Sequence, residues 1–110
     1  MDDLFLKIIK GEIPSTKVYE NEHVFAFKDI NPMAQIHILF ISKNHSKNLN
    51  EMNSEDIIHV LDAIKDYTEK EGLVDSGYRV VTNVGPNGGQ TVFHTHFHLL
   101  AGEQLKGFGA

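Results

Sequence analysis

The sequence predicts an α+β fold: an antiparallel sheet covered on one face by one long helix, with a short helix at the N-terminus. Three observations lead there. β-prone runs follow one another through turn residues, as hairpins do, and only one segment has the length and period of a long amphipathic helix. The 110 residues, 41% hydrophobic and 23% charged, match an ordinary globular chain, so a single domain over 1–110 is expected.

In chain order, Leu4, Phe5, Ile8 and Ile9 recur at helical spacing and stop at Gly11 with Pro14 just beyond, which predicts a helix over 3–10. Residues 17–20 and 23–28 are β-prone and separated by Asn21-Glu22, a hairpin pattern. Asp29-Ile30-Asn31-Pro32 has turn chemistry, and 36–41 is a strand that carries His37. Asn53 to Asp56 supply an N-cap and first-turn acids, after which Ile57, Val60, Leu61, Ile64 and Tyr67 mark the buried face of a helix over about 54–71, ended by Gly72. Strands over 78–83 and 91–100 bracket the glycine-rich turn Gly85-Pro86-Asn87-Gly88-Gly89.

The net charge of -5 opposes general attraction to nucleic acid, so any phosphate ligand must be captured locally. Without cysteine there is no disulfide framework, thiolate zinc site or cysteine nucleophile. The start Met1-Asp2-Asp3, with Lys7 and Lys10 breaking the apolar stretch, is unlike a secretory signal, and no window approaches a membrane span. The expectation is a cytoplasmic protein with no membrane partner and no cofactor.

Chemistry concentrates in His94-Thr95-His96-Phe97-His98. Alternation along a strand puts Val92, His94, His96, His98 and Leu100 on one face and Phe93, Thr95, Phe97 and Leu99 on the other. Two chemical readings compete. A metal could use two of these histidines plus an outsider such as His37, because His94 and His98 would lie roughly 13 Å apart, too far for joint chelation. In the other, a neutral imidazole attacks phosphorus while its neighbours hold the oxygens and manage the leaving group's proton. The glycine-rich turn could supply convergent backbone N–H groups, with Gln90 and Thr91 as side-chain donors, although no P-loop lysine follows. His23, His45 and His59 carry no assigned chemistry, and Lys65, Lys70 and Lys106 read as solvated surface.

His94-Thr95-His96-Phe97-His98-Leu99-Leu100 resembles the His-x-His-x-His-x-x signature of the histidine triad (HIT) family, with Thr95 where an apolar residue is usual. Residues 5–14, 27–32 and 88–92 resemble the family's nucleotide-binding-protein branch, so the similarity covers nearly the whole chain. It implies the HIT-like fold, a homodimer with sheets joined across the interface, and one purine nucleotide site per subunit without metal. It further implies that His96 attacks the α-phosphorus of an adenosine or guanosine phosphoramidate, and that water then hydrolyses the nucleotidylated histidine. By the same resemblance His98 binds phosphate, the His94 carbonyl orients His96, and His37 stands beside the leaving group. Asn83, Gly89, Gln90 and Thr91 surround the phosphate, Asp29 holds the ribose hydroxyls, and Phe5, Ile8, Phe27 and Ile30 line the base pocket. Alternatives are a dinucleoside polyphosphate hydrolase, a nucleotide-binding scaffold with incidental catalysis, and a zinc-binding protein. The tail from Gly102 to Ala110, with Phe108 its only aromatic residue, carries no assigned role beyond its place in the resembled branch, where it shapes substrate choice.

Overall fold

The computed structural model describes residues 4–107; Met1-Asp2-Asp3 and Phe108 lie outside the described residues. Two helices, α1 (Leu4–Ile9) and α2 (Ser54–Lys70), accompany five strands: β1 (Lys17–Glu20), β2 (Val24–Lys28), β3 (Ile36–Ser42), β4 (Tyr78–Val81) and β5 (His96–Ala101). The strands form one sheet in the order β1-β2-β3-β5-β4, antiparallel at every junction.

Local chemistry accounts for the junctions. The Asn21 side chain accepts from the His23 and Val24 amides, each at 2.8 Å, and so closes the β1–β2 turn. Asn53 caps α2 by accepting from the Asp56 amide at 2.8 Å. Gly11 and Gly72, at φ +79° and +68°, end the two helices in a conformation that costs other residues a steric penalty.

The sheet separates two cores. Val24, Ala26, Ile38, Phe40, Phe97 and Leu99 pack with Val60, Ala63 and Ile64 of α2. On the other face Phe25, Phe27, Leu39 and Ile41 pack with Phe5 and Ile8 of α1. The expectation of one covered face therefore needs correction, because the short helix packs on part of the second. Beyond α1 the same face carries His37, which is buried, and His96 and His98, which are half-buried. Leu61 also departs from expectation: it is 42% exposed, and Ala63 and Thr68 complete the buried stripe instead.

Candidate functional site

The site is built on β5, an inner strand flanked by β3 and β4. Its pleat sends Phe97, Leu99 and Ala101 into the interior and leaves His96, His98 and Leu100 half-buried on the opposite face. Pairing places Ile41 beside His96, Leu39 beside His98 and His37 beside Leu100. His37 thus joins the histidines of β5 from the neighbouring strand.

His94 precedes the strand and is buried on the α1 side, where the Phe5 ring stands edge-on to it as well as to His96. The strand begins at His96 rather than near residue 91, because the preceding segment pairs with the loop after β3. The Thr95 amide donates to the Ser46 carbonyl at 2.8 Å, the Thr95 and Ser46 hydroxyls meet at 2.7 Å, and His94 Nε2 donates to the Ser42 carbonyl at 2.9 Å. His94 is only 1% exposed as a result, and Thr95 is buried with it. The row of imidazoles is His96–His98–His37, with successive ring centroids 5.1 Å apart.

Hydrogen bonds fix the tautomers of that row. His96 Nδ1 lies 2.8 Å from the His94 carbonyl, which only accepts, so the neutral ring holds its proton on Nδ1 and leaves the Nε2 lone pair free. The Met33 amide donates to His37 Nδ1 at 3.0 Å, so neutral His37 carries its proton on Nε2. That proton is directed at His98 Nδ1, 2.8 Å away, which leaves His98 protonated on Nε2. One ring is arranged to attack and its neighbour to donate.

Burial, which disfavours charge, pushes all three rings below their ordinary value of 6.5. For His98 the effect is largest: burial, and then the neighbouring charges of His96 and His37, bring it to about 4. Asp29 opposes the shift at each ring. In the free protein at neutral pH the row is uncharged, so the donor beside His96 is a neutral N–H rather than the imidazolium that reference values allow.

Asp29 serves two partners. Oδ1 accepts from the Asn31 amide at 2.8 Å, closing the turn, while Oδ2 lies 3.4 Å from His37 Nε2. Next to it Ile30 is 89% exposed, an apolar side chain held out beside polar groups. Phe5, Ile8 and Phe27 are buried in the α1 core, and the Phe5 ring stands edge-on to His96 at 5.0 Å. They underlie the site as packed core, and Ile8 also lines a cavity of about 390 Å³ with Ile9, Ile13 and Phe25.

The glycine-rich turn departs more clearly from expectation. Gln90 is buried: its amide nitrogen donates to the Lys47 and Val92 carbonyls at 2.7 and 3.1 Å, and its oxygen accepts from the Gly85 amide at 3.0 Å. Both donors are spent on the loop, so Gln90 supports the site without offering a hydrogen to a phosphate. The Gly89 and Gln90 amides likewise bond to Pro86 and Gly85 within the turn, which removes them from an anion-binding nest. Gly88 is required by space, since a Cβ there would sit 2.6 Å from the Val84 carbonyl oxygen. Thr91 is exposed and Asn83 half-buried at the mouth of this loop.

Several participants had no distinct sequence signal. Met33 acts through its backbone, and Ser42 and Ser46 stand about 50 positions before His94 and Thr95, which they hold. His45, read as a plain loop residue, donates from Nε2 to the Phe93 carbonyl at 3.1 Å and packs edge-on against His94. His23 and His59 stack at 3.6 Å between ring centroids.

Asp29, His37 and His98 bring one ligand atom each to within 4.8 Å of one another, a spacing a metal ion could bridge. The hydrogen bonds oppose it. A ligating histidine presents a lone pair to the metal and donates its other N–H outward. His37 does the reverse, accepting from Met33 and aiming its proton inward.

The HIT domain family matches residues 10–105. A protein of Zea mays named 14 kDa zinc-binding protein is 50% identical over 94% of this chain and 84% of its own. The purine nucleoside phosphoramidase of Escherichia coli (strain K12) is 38% identical over 94% of this chain and 90% of its own. Among solved structures, a HIT family hydrolase from Clostridium thermocellum superposes with a TM-score of 0.88 at 45% identity, covering 96% of this chain and 94% of that one.

Proposed function

The chain belongs to the HIT domain family, and from that premise we propose that it is a hydrolase of purine nucleoside 5′-phosphoramidates, with His96 as the nucleophile. The observation that carries this is the tautomer of His96: the bond from Nδ1 to the His94 carbonyl leaves Nε2 as an uncharged base on a half-buried ring. Burial reinforces it, since a depressed pKa keeps the ring neutral at physiological pH.

In this reading Nε2 forms a bond to the α-phosphorus as the bond from phosphorus to the amine breaks. His98 Nε2–H donates to a phosphate oxygen. The departing amine nitrogen takes up one proton, supplied through the His37–His98 pair, which the substrate's negative charge and Asp29 favour charging once phosphate is bound. Water then attacks phosphorus, the bond to His96 breaks, and a nucleoside monophosphate leaves. Asp29 has an acceptor suited to ribose hydroxyls, and exposed Ile30 offers a surface to the base. Asn83 and Thr91 are assigned to the phosphate on the family pattern.

A zinc-dependent reading has the convergence of Asp29, His37 and His98 in its favour, and the inward proton of His37 against it. A homodimer is proposed on the family pattern, in keeping with the partly exposed apolar residues Tyr78 and Val80 on edge strand β4.

The test is hydrolysis of a fluorogenic adenosine phosphoramidate in excess chelator by the parent, His96→Ala and His96→Asn. Turnover insensitive to chelator and lost in both variants is expected. Undiminished turnover in the variants would remove His96 from the mechanism, and loss on chelation would favour zinc.

A further inference from the structure

Thr95 stands where the histidine signature has an apolar residue, and no step of the chemistry at His96 uses its hydroxyl. It is 2% exposed, so the hydroxyl must find its partners within the protein. Its hydrogen bonds join Ser46. The Thr95 amide donates to the Ser46 carbonyl at 2.8 Å, Thr95 Oγ1 lies 3.1 Å from the same carbonyl, and the two hydroxyl oxygens meet at 2.7 Å. A carbonyl only accepts and each hydroxyl carries one proton, which settles the directions: Thr95 Oγ1 donates to the Ser46 carbonyl, and Ser46 Oγ donates to Thr95 Oγ1. The two residues are closed into a clamp.

The clamp grips one particular peptide unit. The Thr95 N–H and the His94 carbonyl belong to the same planar amide, so they turn together. On one side that amide bonds to Ser46, and on the other its oxygen lies 2.8 Å from His96 Nδ1. A rotation that loosened the first bond would also swing the oxygen away from the His96 ring. The other supports hold neighbouring atoms instead of this plane: His94 Nε2 donates to the Ser42 carbonyl at 2.9 Å, and His45 Nε2 to the Phe93 carbonyl at 3.1 Å. Hydrogen bonds in series polarise one another, so the bond at the Thr95 N–H also makes the His94 carbonyl a better acceptor.

We propose that Ser46 and Thr95 form a positioning pair that keeps the His94 carbonyl in line with His96 Nδ1, and so fixes the tautomer and the aim of the His96 ring. Its catalytic consequence rests on the reading of His96 as nucleophile; its effect on the tautomer does not. Removal of either hydroxyl leaves the amide bond to Ser46 but frees the plane to rock. His96 then carries its proton on Nε2 for part of the time, and in that form it cannot attack.

The test uses Thr95→Val, Ser46→Ala, their combination and Thr95→Ser, with two readouts. In the free protein, nitrogen NMR of the histidine side chains reports which ring nitrogen of His96 bears the proton. The parent should show Nδ1–H alone and Thr95→Val and Ser46→Ala a mixture, while Thr95→Ser, which keeps the hydroxyl, should match the parent. Burial lowers the His96 pKa and the bond to the His94 carbonyl opposes that shift, so the titration of His96 should move to lower pH in both variants. With an adenosine phosphoramidate, kcat should fall about fivefold, as for loss of one hydrogen bond, with KM nearly unchanged. The combined variant should fall no further than either single one, because both remove the same device. A His96 tautomer and titration unchanged in Thr95→Val, whatever its thermal stability, would overturn the proposal. No turnover by the folded parent would overturn the phosphoramidase reading alone, since the NMR readout needs no substrate and still decides the clamp.

Discussion

Lowering the pH should destabilise this protein through His98, and the size of the effect follows from its surroundings. Its pKa falls from the ordinary 6.5 to about 4 because folding removes the ring from water and sets two other imidazoles against it. Between those values the unfolded chain binds the proton and the folded one does not, so stability is full above 6.5 and is lost as pH falls toward 4. Integrated down to pH 5, the shift removes about 2 kcal/mol; solvent contact of a half-buried ring screens this to about 1–1.5 kcal/mol. For a domain of this length that corresponds to a fall in Tm of about 5–10 °C. Urea unfolding followed by circular dichroism from pH 7.5 to 5, for the parent and His98→Asn, isolates the contribution. The variant should lose about 1 kcal/mol less over that range than the parent. Parallel pH dependences would refute the claim that His98 is held neutral by its environment.

Two further outcomes follow. Since His96 attacks as the neutral base and burial lowers its pKa, the acid limb of kcat/KM should fall below 6.5; a limb at or above that value in a pH–rate profile would contradict the assigned burial effect. Gly88→Ala should destabilise by about 1–3 kcal/mol, measured by thermal unfolding, because its Cβ would meet the Val84 carbonyl at 2.6 Å; unchanged stability would show that the turn relaxes.

Much of the fold was legible because its signals are local. Apolar periodicity, the Asn53 cap and the Asn21 turn each act within a few residues, and α2, β1 and β2 appear within a residue or so of their expected bounds. The start of β5 was not legible for the same reason. Val92 and His94 continue the alternation of β5, yet residues 93–95 bond to the Ser42–Ser46 segment, a tertiary pairing that periodicity cannot report. The consequence for the site is that His94 is buried before the strand begins and serves His96 through its carbonyl, while His37 extends the row from β3. His96 and His98 were evident from spacing two, whereas Met33, whose side chain is irrelevant to its role, was not. Gln90 looked like a phosphate donor because its chemistry permits it; only the three bonds it makes show that it braces the loop.

The assignment of His96 as nucleophile is tested most directly by trapping the intermediate. Parent protein mixed with a purine nucleoside phosphoramidate for milliseconds, then quenched in alkaline denaturant to preserve a phosphorus–nitrogen bond, is digested and mapped by mass spectrometry. One nucleotidyl group on His96 is the expected result. A label on His98 or His37, or steady turnover with no labelled histidine at any time point, would contradict it.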